Sequence, residues 1–146
     1  MYIEKSLEDK VTFLFDKARK NMGDALGIQF EHIERDKLSA SMPVNESTIQ
    51  PFGLLHGGAS VALAETLASV GAVLNIDQDK KTAVGLEINA NHIRSVRHGK
   101  VIGTARPLHR GAQTHVWEIK IRTEDDKLVC VSRCTLAIIK KKMILG

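Results

Sequence analysis

Aromatic residues are scarce in this 146-residue chain, which holds one Trp, one Tyr and four Phe. No basic stretch interleaves with them, so there is no stacking platform for bases, and a nucleic-acid partner is not expected. Cysteine is limited to Cys130 and Cys134. Read as a strand, "KLVCVSRCTLAII" puts both on one face, about 13 Å apart along it. That exceeds the roughly 7 Å between Cα atoms that a disulfide tolerates. Two cysteines without matching histidines fit no zinc pattern, so both are expected to be small core residues in a reducing cytosol. His32, His98, His109 and His115 form no metal-ligand spacing either, and no metal is assigned. No window stays apolar over the roughly 20 residues that cross a bilayer. The opening "MYIEKSLEDK" is charged where a signal peptide has its apolar core. No membrane association and a cytoplasmic location are therefore expected.

Charge is also modest. The formal net charge is +4, and part of it is the run Lys140 to Lys142. A small phosphate-bearing ligand suits such a mild excess. Charged residues at 26% and hydrophobic ones at 43% are ordinary for a globular chain. Without repeats, linkers or low-complexity segments, residues 1–146 read as one domain.

Periodicity supplies the elements. In "SLEDKVTFLFDKARKNMG", Leu7, Val11, Leu14, Phe15, Ala18 and Met22 share a helical face, with Ser6 as N-cap and Gly23 as stop. This is the expected N-terminal helix, within residues 1–26, preceding the core. "GIQFEHIERD" and "KLSASMPV" read as strands about a turn near Asp36. In the second, Leu38, Ala40 and Met42 alternate with Lys37, Ser39 and Ser41, so one face is expected to be half-buried. "NESTIQPFGLLHGG" is irregular. Four β-rich runs follow a long apolar helix: "TAVGLEINANHIRSV", "KVIGTARPLHR", "QTHVWEIKIRTE" and "KLVCVSRCTLAIIKK". Hairpin-length connections imply antiparallel pairing, hence an α+β fold with the sheet around one central helix. The closing "MILG" has no functional reading and is expected to fray.

The apolar helix poses the chemical question. Between Ala59 and Leu74 its only polar side chains are Ser60, Glu65, Thr66 and Ser69. A helix apolar on nearly every face is usually buried, and a buried carboxylate is costly unless paired or protonated. Either Glu65 faces water or a function requires it.

"QPFGLLHGGASVALAETLAS" followed by "VGLEINANHIRSVRHGKV" resembles the hotdog-fold acyl-CoA thioesterases. The similarity is to the branch with its glutamate on the central helix, which includes 4-hydroxybenzoyl-CoA, 1,4-dihydroxy-2-naphthoyl-CoA and enterobactin-pathway proofreading thioesterases. It runs from about Gly27 to Ile139 and takes in "PLHRGAQTHVWEIKI" and "KLVCVSRCTLAI". HGG alone is a weak motif, but HGG with the upstream Gln, the downstream Glu and "NANHIR" is specific. The resemblance implies a hotdog fold, an antiparallel β-sheet wrapped around a long central α-helix. It also implies hydrolysis of an acyl-CoA, with an aromatic acyl group favoured.

Thioester hydrolysis needs a polarised carbonyl and an attacking oxygen. Gly57 stands at the helix start, where N–H groups lack intrahelical partners and the dipole favours negative charge. Its N–H is the candidate to polarise the carbonyl, with His56 beside it. Glu65, as general base or nucleophile, lies eight residues on, about 12 Å along a regular helix. It cannot reach a carbonyl held at its own helix start, which implies a site shared between two subunits. The resemblance implies the same: a homotetramer, a dimer of dimers with sites at the dimer interface. It also implies that Gln50 lines the acyl pocket, that Ser69 faces the acyl group, and that His92 lies near the pantetheine path. Pocket size would depend on Phe52 with Met42, Ala68 and Ala72. Arg94, Arg110 and Lys141 are candidates by charge for the coenzyme A phosphates. Only the "HRGAQ" turn, with Arg110 and Gly111, lies where the family tends to hold the nucleotide. Coenzyme A is part of the substrate, and no separate cofactor is expected. Two other readings are hotdog dehydratase or isomerase chemistry and a non-catalytic acyl-CoA-binding module. The Gln50, His56, Gly57 and Glu65 set fits the thioesterase pattern better than the first. The second gains nothing from a buried carboxylate.

Overall fold

The computed structural model describes residues 1–16, 18 and 20–143. Seven strands form one sheet in the order β1-β2-β3-β5-β6-β7-β4. In chain order these are β1 (Tyr2–Ile3), β2 (Gln29–Glu34), β3 (Lys37–Pro43), β4 (Lys81–His92), β5 (Lys100–Arg110), β6 (Thr114–Thr123) and β7 (Leu128–Lys140). All neighbours pair antiparallel except β1 and β2. Helix α1 spans Met22–Leu26, and helix α2 spans Gly57–Leu74 and packs against β3 to β7. This is the expected hotdog layout. The strands from β2 onward follow the expected β-rich runs because their alternation is unambiguous, as in His115, Trp117, Ile119 and Ile121 facing the core of β6.

The N-terminal helix is not formed as expected. Residues Lys5–Lys10 and Thr12–Phe15 make two short 3-10 turns instead. Lys17 and Arg19 lie outside the described residues, and α1 then begins only at Met22. Ser6 donates to Glu4 rather than capping a helix. The apolar spacing is half right: Leu7 and Val11 are buried and Leu14 packs against the core, whereas Phe15 and Met22 are exposed. Val11, Thr12 and Phe13 are β-branched or aromatic and weak helix formers. Asn21 makes a strong competing start, since its side chain accepts from Gly23 and Asp24 while Asp24 reaches back to the Asn21 N–H. Gly27, at φ 71°, ends α1 after five residues. The first turn is tied to the loop after α2 through Lys10, which donates to the Ile76 carbonyl and accepts from Gln78.

Strand β3 also differs from expectation. Ser39 and Ser41 are buried along with Leu38, Ala40 and Met42. β3 is an inner strand between β2 and β5, so its short serine side chains are flanked on both sides, Ser39 by His32 and Thr104 and Ser41 by Gln29 and Ile102. Of the segment expected to fray, Ile144, Leu145 and Gly146 lie outside the described residues.

Helix α2 is the centre of the core. With 18 residues and a mean hydropathy of 1.4 it is long and apolar enough to cross a bilayer, which corrects the expectation that no segment is. Its contacts with the sheet account for that composition. Leu63, Ala64, Leu67, Ala68, Ala72 and Leu74 are fully buried. Gly71 marks the closest approach: a methyl group there would lie 2.6 Å from the Trp117 ring. Gly71→Ala is therefore expected to lower stability by about 1–3 kcal/mol through overpacking, measured by denaturant unfolding.

Candidate active site

The segment before α2 is held by its own backbone. Gln50 N–H donates to Leu54, Gly53 N–H to Gln50 and His56 N–H to Thr48. Gly53 takes φ 78° to close the turn, a conformation glycine reaches without strain. The Phe52 N–H donates to Gln50 Oε1, which leaves the Gln50 amide N–H groups for another partner. His56 is the N-cap of α2, and its Nδ1 accepts from the Gly58 N–H at 2.8 Å. That bond assigns Nε2 as the donor nitrogen of His56. The Gly57 N–H has no partner among the described residues. It is an unsatisfied donor at the positive end of an 18-residue helix, where negative charge is stabilised.

A cavity of about 320 Å³ opens at this point, lined by Gln50, Gly57, Ser60, His92 and Arg94 with apolar neighbours. His92, at the end of β4, lies against Gly57: a methyl on Gly57 would meet its Nε2 at 2.8 Å. Gln50, His56, Gly57, His92 and Arg94 are thus brought together. Ser60, 1% exposed, also lines the cavity and was not among the expected residues.

Glu65 and Ser69 lie elsewhere. They line a depression on the open face of α2 with Gly58, Val61, Ala62 and Thr66, and with Met22 from α1. Glu65 is half-buried, and none of its hydrogen bonds or ion pairs occurs among the described residues. Beneath it lies Cys134, fully buried and free. Burial first, then the negative charges of Glu65 and Glu87, push this thiol up to about 12. Burial also raises the Cys130 thiol. Both cysteines are thus held as neutral thiols in the core, and among the described residues that line the open face of α2 only Glu65 carries a carboxylate.

Phe52 sits 83% exposed at the turn tip and touches neither depression within this chain. Arg110 and Gly111 sit at the far end of α2, about 27 Å from Gly57 for a helix of this length. There Arg110 pairs with Asp36 at 2.8 Å and donates to the Asn75 side chain at 2.8 Å. Asn75 caps the helix end by donating to Gly71 at 2.8 Å. The Arg110–Gly111 turn borders a separate cavity of about 470 Å³ with Lys81 and His115. His115 is 2% exposed, and burial, then Arg110 and His109, holds its proton affinity below the usual range. Lys141 is turned to the loop after α2, where it donates to Gln78. Within one chain the expected residues other than Phe52 and Lys141 therefore form three separate groups. The close approach of Gly85 to the Glu65 carboxylate also escaped expectation, although a glycine inside a strand pattern is a recognised sign of close backbone approach.

The thioesterase superfamily model matches residues 52–130. The 1,4-dihydroxy-2-naphthoyl-CoA hydrolase of Escherichia coli (strain K12) is 55% identical over 119 residues, 82% of this chain and 87% of that protein. The proofreading thioesterase EntH of Cronobacter sakazakii is 48% identical over 118 residues, 81% of this chain and 85% of its own. Among solved structures, a mutant thioesterase from Pseudomonas aeruginosa superposes with a TM-score of 0.83 at 45% identity, covering 90% of this chain and 93% of that one.

His56→Ala is expected to cost about 0.5–2 kcal/mol by removing the cap of α2. His56→Asn should restore most of it, as read from urea unfolding midpoints.

Proposed function

We propose that this chain, which belongs to the thioesterase superfamily and is a thioester hydrolase, cleaves an aromatic acyl-CoA at a site completed by a second copy of itself. The observation that carries this reading is the unpaired Gly57 N–H facing a cavity lined by Gln50 and His92, with Glu65 on the open face of the same helix. The Gly57 N–H receives the thioester oxygen and stabilises the negative charge that develops on it. Gln50 and His56 stand beside it to orient carbonyl and water.

Glu65 supplies the attack. As general base it takes a proton from water, whose oxygen adds to the carbonyl carbon; collapse of the tetrahedral intermediate breaks the C–S bond and releases coenzyme A. As nucleophile its carboxylate adds instead, the adduct expels the coenzyme A thiolate to leave a mixed anhydride, and water then hydrolyses this to the free acid and the Glu65 carboxylate. Both routes place the same carboxylate next to the reacting carbon.

The helix rise of about 12 Å between Gly57 and Glu65 keeps them apart within a chain. Pairing of two copies along the β4 edge would cover the open face of α2 and bring the two halves together. In support, β4 spans 12 residues and pairs on one side only, with β7. Such edges are a template for a second strand. A dimer of dimers is the assembly the family resemblance favours. Arg94 at the cavity, and Arg110 with Gly111 from the other copy, would hold the coenzyme A phosphates. Ser69 and Phe52 would line the acyl end. The aromatic preference rests on the relative named for 1,4-dihydroxy-2-naphthoyl-CoA. The enzyme needs no cofactor beyond the coenzyme A of its substrate, and acts in the cytoplasm.

Glu65→Ala should remove nearly all thiol release from a panel of aromatic and straight-chain acyl-CoAs, while the protein still binds a non-hydrolysable analogue. Wild-type turnover in that variant would refute the assignment. Gln50→Ala should be slower but folded. Mixing Glu65→Ala with Gln50→Ala chains should restore one intact site per mixed dimer, about a quarter of wild-type activity for two-fold symmetric pairing. No gain above the two parents would sink the shared site.

A further inference from the structure

We propose that Gly85, together with the β-bulge at Leu86, is a positioning residue that seats the Glu65 carboxylate. The inference rests on the role given to Glu65 above. A methyl group built on Gly85 would lie 2.7 Å from Glu65 Oε1. The carboxylate thus rests on a bare Cα, closer than any side chain allows. No hydrogen bond or ion pair with Glu65 is present among the described residues, so packing rather than a polar partner limits where its oxygens go. Three rotatable bonds separate the carboxylate from the backbone of α2, and the surface it lies on decides its position.

The bulge makes this seat compatible with the other half of the site. Gly85 pairs with Leu136 and Glu87 with Thr135, which leaves Leu86 as the extra residue. Side chains in a strand alternate strictly. Ala83 packs on the core and Gly85 meets α2, so an unbroken strand would turn Glu87, Asn89 and Asn91 inward. The extra residue shifts the alternation, and Ile88 and Ala90 pack on the core instead, with His92 reaching Gly57. One strand thereby presents a gap to Glu65 and an imidazole to Gly57, and bulges beside active sites re-aim side chains in this way.

The physics separates position from stability. A methyl on Gly85 would press on the end of a flexible side chain, so Glu65 can swing aside and the fold can persist. A displacement of about 1 Å at a reacting group costs on the order of 100-fold in rate.

Gly85→Ala should therefore keep its melting temperature and its KM near wild type while kcat falls on the order of 100-fold. Glu65→Asp withdraws the carboxylate from the seat. In that background Gly85→Ala should cost less than about threefold, a coupling that a double-mutant cycle reads. A wild-type kcat in Gly85→Ala, or an equal loss in both backgrounds, would overturn the proposal. Should Gly85→Ala fail to fold, the Glu65→Ala/Gly85→Ala protein decides. Recovery of the fold there supports a clash with Glu65, and continued unfolding assigns Gly85 to the backbone and overturns the proposal. The single Glu65→Ala variant tests the catalytic role itself, so failure of either idea is told apart from failure of the other.

Discussion

Burial of one apolar helix governs this molecule. The sheet takes the sides of α2 that carry Leu63, Ala64, Leu67, Ala68, Ala72 and Leu74, all fully buried. It leaves a strip with Gly58, Val61, Ala62, Glu65, Thr66 and Ser69 open. Burying each large side chain is worth about 1.5–3 kcal/mol, so the helix is held firmly where the sheet touches it. A firmly held helix has a fixed start, and at that start stands the unpaired Gly57 N–H. The donor is preorganised by packing along the length of α2. The His56 cap adds to this by occupying the next N–H and leaving the first one free.

The same helix acts as a ruler. Its rise sets Gly57 and Glu65 about 12 Å apart, and no side-chain rotation closes that distance. In the proposed reading, an electrophilic end and an attacking end on one rigid element require two copies of the element to meet. This accounts for a carboxylate on the open strip, where burial would come from a partner surface and not from the chain's own core.

Strand β4 links the two halves. It is one of the two edge strands of the sheet, β1 being the other, and its alternation is broken once, at Leu86. An unbroken strand would satisfy Glu65 or Gly57 but not both. Arg110, by contrast, is spent inside the chain on Asp36 and Asn75 at the opposite end of α2.

Much of this was legible from residue order. Alternation located β2 to β7, the apolar run located α2, and the spacing from Gly57 to Glu65 set them about 12 Å apart, because helix rise and strand period are local properties. The N-terminal segment misled for a local reason too: its apolar spacing was helical, but weak helix formers at Val11 to Phe13 and the cap at Asn21 outweighed it. Position across the fold was not legible. That Phe52 projects from its turn, that Arg110 closes the far end of α2, and that Gly85 lies under Glu65 depend on how helix and sheet meet. The sequence alone determined which groups the chain carries and how far apart they stand along each element. Which of them touch was decided only by tertiary packing, because contacts between helix and sheet depend on how whole elements meet, and within β4 one bulge residue reverses the facing of Glu87 to His92.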